Sequence, residues 1–500
     1  MYHIRKTKTA SGATAVQVVK YVRRKLSMVA HIGSAHNNEE IKTLQQIAVR
    51  WIEKQTRQKS LLPLPADEIS SGGLSLVEKC EYLGIRYTFI YEILHKLLAR
   101  FQFTCLGNKL LNDLVIMRIV KPVSKLQSLE LIKDYFGISH RRQFFYESLL
   151  KMVKLKRAAE QLAAKLAVAE FGLDFSLIFY DVTTLYFESF QNDDLRKPGF
   201  SKDNKPNQPQ IVIGLVVSRD GFPVAYEIFA GNKFEGHTLI PVIESFKSKH
   251  SVKTLTVVAD AAMISMDNIQ ALKQRGLQYI VGARIGNLPL KLIANISRLL
   301  NQLDGATMRV ATVHGDLVCD FSLKRYRKDK REMDKQIEKA QRLVNNSSGI
   351  KRTKFLQIGN KNTCAINQGL IEKTKLILGV KGYYTNLGEA ASNQTIINHY
   401  HSLWRVEQAF RIAKNDLQMR PMFHFKKDAI KVHVLICFMA LAISKYLEIK
   451  TATPLQQIIK AFKQVTDARL LDTLTKKEII MRTKIPENTK MLLQRLNLPY

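Results

Sequence analysis

Apolar and polar positions fall into distinct regimes along this chain. Residues 12–33, GATAVQVVKYVRRKLSMVAHIG, carry dense valines on either side of the basic triplet Arg23-Arg24-Lys25, which predicts a small basic hairpin. Residues 38–54 follow as a helix with Asn38 as its cap. The stretch PLPADEISSGG at 63–73 reads as a linker. From 74 to 168 the apolar residues recur at helical spacing, as in Leu94, Leu97, Leu98 and Phe101. Within that region, 128–151 reads as a helix, a turn at Gly137, a cap at Ser139 and a second helix carrying Arg141 and Arg142. This pattern suits a DNA-binding helix-turn-helix and equally two core helices joined by a turn.

From 175 the period changes to that of buried strands. LIFYDV is a short apolar run, and QIVIGLVVSRDGFPVAYEIFAG is two such runs joined by the hairpin signal Arg219-Asp220-Gly221. A helix at 237–248, the strand TLTVVAD, a helix at 265–275 and the strand YIVGARI complete the order β-β-β-α-β-α-β. A hairpin mixed with crossover helices predicts a mixed sheet and the α/β class. Residues 288–390 break the rhythm with the strands MRVATVHGDLVCDFSL and KLILGV and a charged helix at 324–343. That helix is either a solvated, salt-bridged face or a phosphate-contacting arm. A long helix is expected at 392–418, ending before Pro421, and short helices over the last fifty residues. The longest apolar run, Val432–Ser444, is 13 residues. It is too short to span a bilayer and reads as a buried helix.

Composition adds a partner. Lys and Arg total 77 against 43 Asp and Glu, a net charge of +34. So large a positive excess suits a polyanion, by default nucleic acid. Cys80, Cys105, Cys319, Cys364 and Cys437 are scattered and form no CxxC pair. That argues against zinc fingers and a disulfide framework and fits a reducing compartment. The start, MYHIRKTKTASG, lacks the apolar core of a signal peptide. With no Gly-x-x-x-x-Gly-Lys loop, an ATP-driven motor is not expected. A cytoplasmic protein without a membrane partner is the resulting expectation.

Candidate chemistry lies in three carboxylates. Asp181 ends the first buried strand and Asp260 ends another. One acid closing an apolar strand is usually a cap or turn residue. Two at the carboxyl ends of strands in one α/β sheet are more telling, because ligand sites gather there. Glu407 lies in YHSLWRVEQAFRIAK, on the helix near 400. At about 100° per residue, seven steps return to within about 20° of the start. Tyr400, Glu407 and Lys414 then share one stripe, with Arg411 about 40° from Glu407. The bland alternative is a surface helix with regularly spaced charges. Three carboxylates can hold two Mg²⁺ ions, a pair that activates a water or a 3′-hydroxyl for in-line phosphoryl displacement.

With the element order β-β-β-α-β-α-β and acids at these places, the chain resembles the DDE transposases, whose catalytic core is ribonuclease H-like. Tyr-x2-Arg-x3-Glu-x6-Lys is the signature of one group of bacterial insertion-sequence transposases, which insert a mostly β subdomain ahead of the glutamate helix. Tyr400, Glu407 and Lys414 stand at that spacing. The segments YDVTTLYFES, FAGNKFEGHT, VVADAAM and LWRVEQAFRIAKNDLQMRP look like one branch of the group. One position departs: the signature arginine falls on Leu403. Arg405 lies about 160° around the helix from Glu407, whereas Arg411 is on the right side.

The resemblance implies the following layout: a basic α+β region at 1–65, a helical DNA-binding region at 74–168, a catalytic core at 172–287 and 391–448, an insertion at 288–390 and a helical C-terminal region at 449–500. It implies catalysis and metal binding by Asp181, Asp260 and Glu407, with Mg²⁺ replaceable by Mn²⁺. DNA contacts fall to Tyr400, Arg411, Lys414 and Arg420. The implied partners are double-stranded terminal inverted repeats and target DNA, bound by a homodimer in a prokaryotic nucleoid. Thr183 and Thr184 read as strand terminators, Asn232 and His237 as caps or site-lining residues, His424 as a structural histidine and Trp404 as core. Rival readings are a metal-dependent nuclease or resolvase of the same fold, a non-catalytic DNA-binding regulator, and an RNA-associated protein.

Overall fold

The computed structural model describes residues 2–22, 25–56, 80–173, 175–188, 191–201, 205, 207–250, 252, 254–263, 265–345, 353–358, 364–473 and 475–499. The linker expected at 63–73, and Arg23 and Arg24 of the basic triplet, lie outside these residues. Two compact units account for the contacts. One comprises Met1–Leu94, Glu130–Ser139 and Gln457–Tyr500, the other His95–Leu129 and His140–Gln456.

At the start of the chain, β1 (Tyr2–Lys8), β2 (Thr14–Val22) and β3 (Lys25–Ala35) form an antiparallel sheet covered by α1 (Asn38–Thr56). The β2–β3 hairpin is the one the valines predict, and β1 pairs on its other side. Val16, Val18, Ile32, Leu44 and Ala48 make the core between sheet and helix. Asn37, not Asn38, caps α1: its Oδ1 accepts the Glu40 N–H at 2.8 Å.

The strand β4 (Cys80–Arg86) precedes five helices: α2 (Thr88–Arg100), α3 (Lys109–Val120), α4 (Lys125–Phe136), α5 (Arg142–Val153) and α6 (Lys156–Phe171). Ser139 does not cap α5. Arg141 is at its N-cap and makes no side-chain capping bond, and the two compact units divide between Ser139 and His140.

The second unit is built on an eight-stranded mixed sheet. Its first strands are β5 (Leu177–Tyr186), β6 (Gln210–Ser218) and β7 (Pro223–Ala230), antiparallel neighbours. Gly221, at φ +79°, turns the chain between β6 and β7. Helix α7 (Leu239–His250), strand β8 (Thr256–Ala259), helix α8 (Met266–Gln274) and strand β9 (Gln278–Ala283) follow. β5, β8 and β9 run parallel. Every residue of β6 is buried, so it reads as an unbroken apolar run with no alternation.

Residues 288–390 hold α9 (Leu290–Leu300), β10 (Thr307–Thr312), β11 (Gly315–Phe321), α10 (Leu323–Asn345), β12 (Leu356–Ile358), β13 (Cys364–Ile366), α11 (Gln368–Lys375) and β14 (Val380–Thr385). The mostly β subdomain expected here is not set apart from the main sheet. β10, β11 and β14 continue it, in the order β10-β11-β14-β9-β8-β5-β6-β7. Among the described residues of this segment, only the β12–β13 pair stands outside that sheet. α10, β12–β13 and α11 close over a small core of Met333, Ala340, Phe355, Ile371 and Leu378. KLILGV is not a strand: its first residue ends α11, a turn follows, and β14 begins at its last residue.

The single helix expected at 392–418 is broken. α12 (Asn393–His401) stops at Ser402, and α13 (Trp404–Arg411) runs into a π-helical turn at Ile412–Asp416. Helix α14 (Lys427–Thr451) is long and apolar enough by composition to cross a membrane, but 89% of its most apolar window is buried within the fold. It packs on α3, α5, α6 and β7 as the core helix of this unit. The chain ends with α15 (Leu455–Lys463), β15 (Asp467–Asp472), β16 (Glu478–Arg482) and α16 (Glu487–Arg495). The last fifty residues are therefore not all helical. β15 pairs with both β16 and β4, and that long-range pairing overrides the helical look of the Leu-, Lys- and Glu-rich sequence.

Candidate functional site

Asp260 follows directly on β8, as the sequence suggests, but Asp181 does not end its strand. β5 continues to Tyr186, with Asp181 opposite Leu215 of β6 and with Thr183 and Thr184 buried inside the strand. The two threonines thus continue the strand. Tyr180 of β5 is in register with Ala259 of the parallel β8, so the two aspartates are the next residues on neighbouring strands. Each Oδ1 accepts the N–H of its own following residue, Val182 at 2.7 Å and Ala261 at 2.6 Å.

Tyr400, buried at 5% exposure, ties the helices above to this strand end. Its hydroxyl donates to Asp260 Oδ1 at 3.1 Å. Room for the phenol comes from Gly282 of β9, where any Cβ would collide with the Tyr400 oxygen. Burial pushes the Tyr400 hydroxyl well above the ordinary phenol range. The charge of Asp260, its hydrogen bond, and the charges of Glu407 and Asp181 add to that rise. One buried hydroxyl therefore lies in the field of all three carboxylates. Glu407 itself is an exposed residue of α13.

The carboxylates do not collapse into one cluster. Among the described residues, no three His, Cys, Asp or Glu side chains lie close enough to hold a metal ion. The donor chemistry nevertheless suits a hard divalent cation: carboxylate oxygens, two of them on register-matched strands, and a third carboxylate electrostatically coupled to the same phenol.

Lys381 was not singled out by sequence and belongs here. Its Nζ lies 4.7 Å from the centre of the Tyr400 ring. Burial, then Arg325, hold the Lys381 ammonium below its ordinary range, while Asp320, Asp260 and Glu407 pull it back up. Tyr383, two residues on, packs its ring 4.6 Å from that of Tyr400 and donates to Asp320 Oδ1 at 2.8 Å. The available signal was a lysine near the start of an otherwise uncharged strand, VKGYYT. It carries no meaning until β14 pairs with β9.

The remaining expected residues separate. Leu403, at the place of the signature arginine, is buried. Arg405 turns to Asp220, with Nη1 3.8 Å from Oδ1, and lies over the Trp404 ring. Trp404 is not core: it is 53% exposed. Arg411 is exposed in the last turn of α13. Lys414 sits in the π-turn, whose wider bonding breaks the seven-step return assumed for a regular helix. Arg420 lines a separate cavity with Arg118 and Lys125. His237 lies in a 3₁₀ turn with its ring against Phe234. Burial, then Lys125 and Arg118, hold His424 down at about 3.

A family model described as a transposase DDE domain matches residues 173–443, more than half of the chain. Among solved structures, the chain is similar to one described as the cryo-EM structure of a piggyBac transposase synaptic complex with hairpin DNA. That similarity has 11% sequence identity and a TM-score of 0.38, and covers 77% of this chain and 71% of the other. No curated protein matches the chain.

Proposed function

The chain belongs to the transposase DDE domain family, and we propose that it nicks the ends of a mobile element and joins the freed 3′-hydroxyls to target DNA. The observation that supports this reading best is the Tyr400 hydroxyl, bonded to Asp260 and lying in the field of Asp181 and Glu407 as well. Those three carboxylates are the residues that would hold Mg²⁺, with Mn²⁺ as a substitute. When bound, the metal supplies Lewis-acid stabilisation of a phosphoryl group and acidifies a water or hydroxyl.

The chain's own part is positioning and charge. Tyr400 fixes the orientation of Asp260. The Lys381 ammonium sets positive charge beside Asp260 and Glu407 and leaves that side of the site able to accept a phosphate. Arg411, Lys414 and Arg420 are assigned to DNA phosphates, while Tyr400, buried and bonded to Asp260, is given to the carboxylates in place of the DNA contact expected of it, and the net charge of +34 draws the duplex in. The reading includes terminal inverted repeats as the bound DNA, a homodimer that brings two ends together, and a nucleoid location.

The test is strand cleavage and joining on a duplex carrying the DNA that flanks the coding region, with Mg²⁺ or with a chelator. Metal-dependent nicking at the element boundary followed by joining is expected. Cleavage without boundary preference or joining favours a nuclease of the same fold. Binding with no cleavage in Mg²⁺ or Mn²⁺ favours a non-catalytic regulator.

A further inference from the structure

A cavity of about 90 Å³ opens beside residues 418–424, lined among others by Arg118 of α3, Ser124 and Lys125 at the start of α4, Arg420, His424 and His433 of α14. Arg118, Lys125 and His433 are each only 4% exposed. Arg118 Nη1 donates to the Leu417 carbonyl at 3.5 Å. His433 has Nε2 3.1 Å from the Met419 carbonyl and Nδ1 3.0 Å from Lys125 Nζ. Its partners assign the tautomer: Nε2–H donates to the carbonyl, and Nδ1 accepts from the ammonium.

No Asp or Glu is among the residues that line this cavity. The charges acting on Arg118, Lys125, His424 and His433 come from one another and from the Cys437 thiol, with no carboxylate of the described residues among them. Burial is the first cause holding each of the four below its ordinary range. Arg118 adds to it at Lys125, and Lys125 and Arg118 add to it at both histidines. Buried cations are ordinarily paired, because an unpaired one is costly. Ser124 Oγ accepts the Gln127 N–H at 3.2 Å, so the amino end of the twelve-residue α4 also faces this cavity. A helix amino end favours an anion.

We propose that this cavity is a phosphate-binding site. Resting on the transposase reading, the phosphate is one of the DNA backbone, other than the one at Asp181, Asp260 and Glu407. The placement fits a second phosphate on the same strand path. The Met422 N–H donates to the Tyr186 carbonyl at 3.2 Å, at the far end of the strand that carries Asp181. Six residues of strand from Asp181 to Phe187 span about 20 Å, or roughly six nucleotides of duplex rise. Phe423, at the cavity rim, is 60% exposed, so the mouth lies at the surface.

The experiment uses the full chain and two probes. In the first, inorganic phosphate is compared with chloride at matched ionic strength in a thermal melt. Phosphate is expected to raise the wild-type melting temperature by about 3 °C. Lys125→Met should lose that rise, because it removes the amine that faces the anion. Ser124→Asp keeps the helix cap and supplies an internal anion, so it should lose the rise even if Lys125→Met does not fold. A phosphate response absent from wild type, or retained in Ser124→Asp, overturns the site. The second probe is duplex DNA. Ser124→Asp should weaken binding about tenfold and reduce the salt slope by about one phosphate. A lost phosphate response with unchanged DNA affinity overturns the DNA assignment and identifies the ligand as free phosphate. Neither probe depends on cleavage activity, so failure of the transposase reading shows separately.

Discussion

Tyr400 carries more of the site than any other uncharged residue. It reaches Asp260 from α12, rests in the space left by Gly282, and feels both other carboxylates. Tyr400→Phe removes one hydrogen bond and little volume. It should slow cleavage roughly tenfold, with DNA affinity unchanged, as expected for a bond of about 1.4 kcal/mol that fixes a carboxylate. Single-turnover cleavage alongside a binding titration checks this. His424 makes a different prediction. Its folded value of about 3 lies below the value near 6.5 expected for the unfolded chain. Between those values the unfolded state binds more protons, so stability falls as pH falls. At pH 5 this residue costs about 2 kcal/mol, and His424→Gln should flatten the fall in denaturation midpoint between pH 7 and 5. Asp260 was readable at the end of β8 because an acid closing an apolar run stands out, whereas Asp181 lies inside β5, which continues to Tyr186. Lys381 was not readable, because its meaning comes from the pairing of β14 with β9, which lies about 100 residues earlier in the chain. The exposure of Trp404 was missed for a related reason: the break after α12 sets which face of α13 looks outward.

At the scale of elements, one buried carboxylate fastens three of them. Glu160 of α6 has a fully buried side chain, lies 3.1 Å from Lys156 and 3.0 Å from Lys249 of α7, and accepts the Tyr226 N–H of β7 at 3.0 Å. Glu160→Gln leaves those lysines with Glu227 alone and should destabilise this unit by about 3 kcal/mol, measured as a drop in its unfolding midpoint. An unchanged midpoint would mean that the cluster contributes nothing net. The hairpin, the crossover helices and the mixed character of the sheet were legible because local period marks the elements. β4, β15 and β16 were not. Their pairing joins segments almost 400 residues apart, and nothing local marks a Leu-, Lys- and Glu-rich stretch as a strand. The breaks around α13 were equally hidden. Ser402 bonds back to the Asn398 carbonyl at 3.0 Å, and Leu417 N–H reaches Ile412, five residues back. Neither bond changes the apolar spacing that predicted one helix.

For the whole molecule, the charge of +34 predicts a steep salt dependence of DNA binding. A chain that contacts six to ten phosphates should lose about 10³-fold or more in affinity between 50 and 200 mM salt. Fluorescence anisotropy on a labelled duplex reads this directly, and a shallow slope would assign the charge to another role. The central claim is narrower: three acidic side chains from β5, the end of β8 and α13 act as one site. The measurement that tests it most directly is single-turnover cleavage of an element-end duplex in Mg²⁺ by Asp181→Asn, Asp260→Asn and Glu407→Gln, each checked for DNA affinity. The account predicts that each variant binds DNA like wild type and loses at least about 10³-fold in rate. A variant that cleaves at the wild-type rate would contradict it.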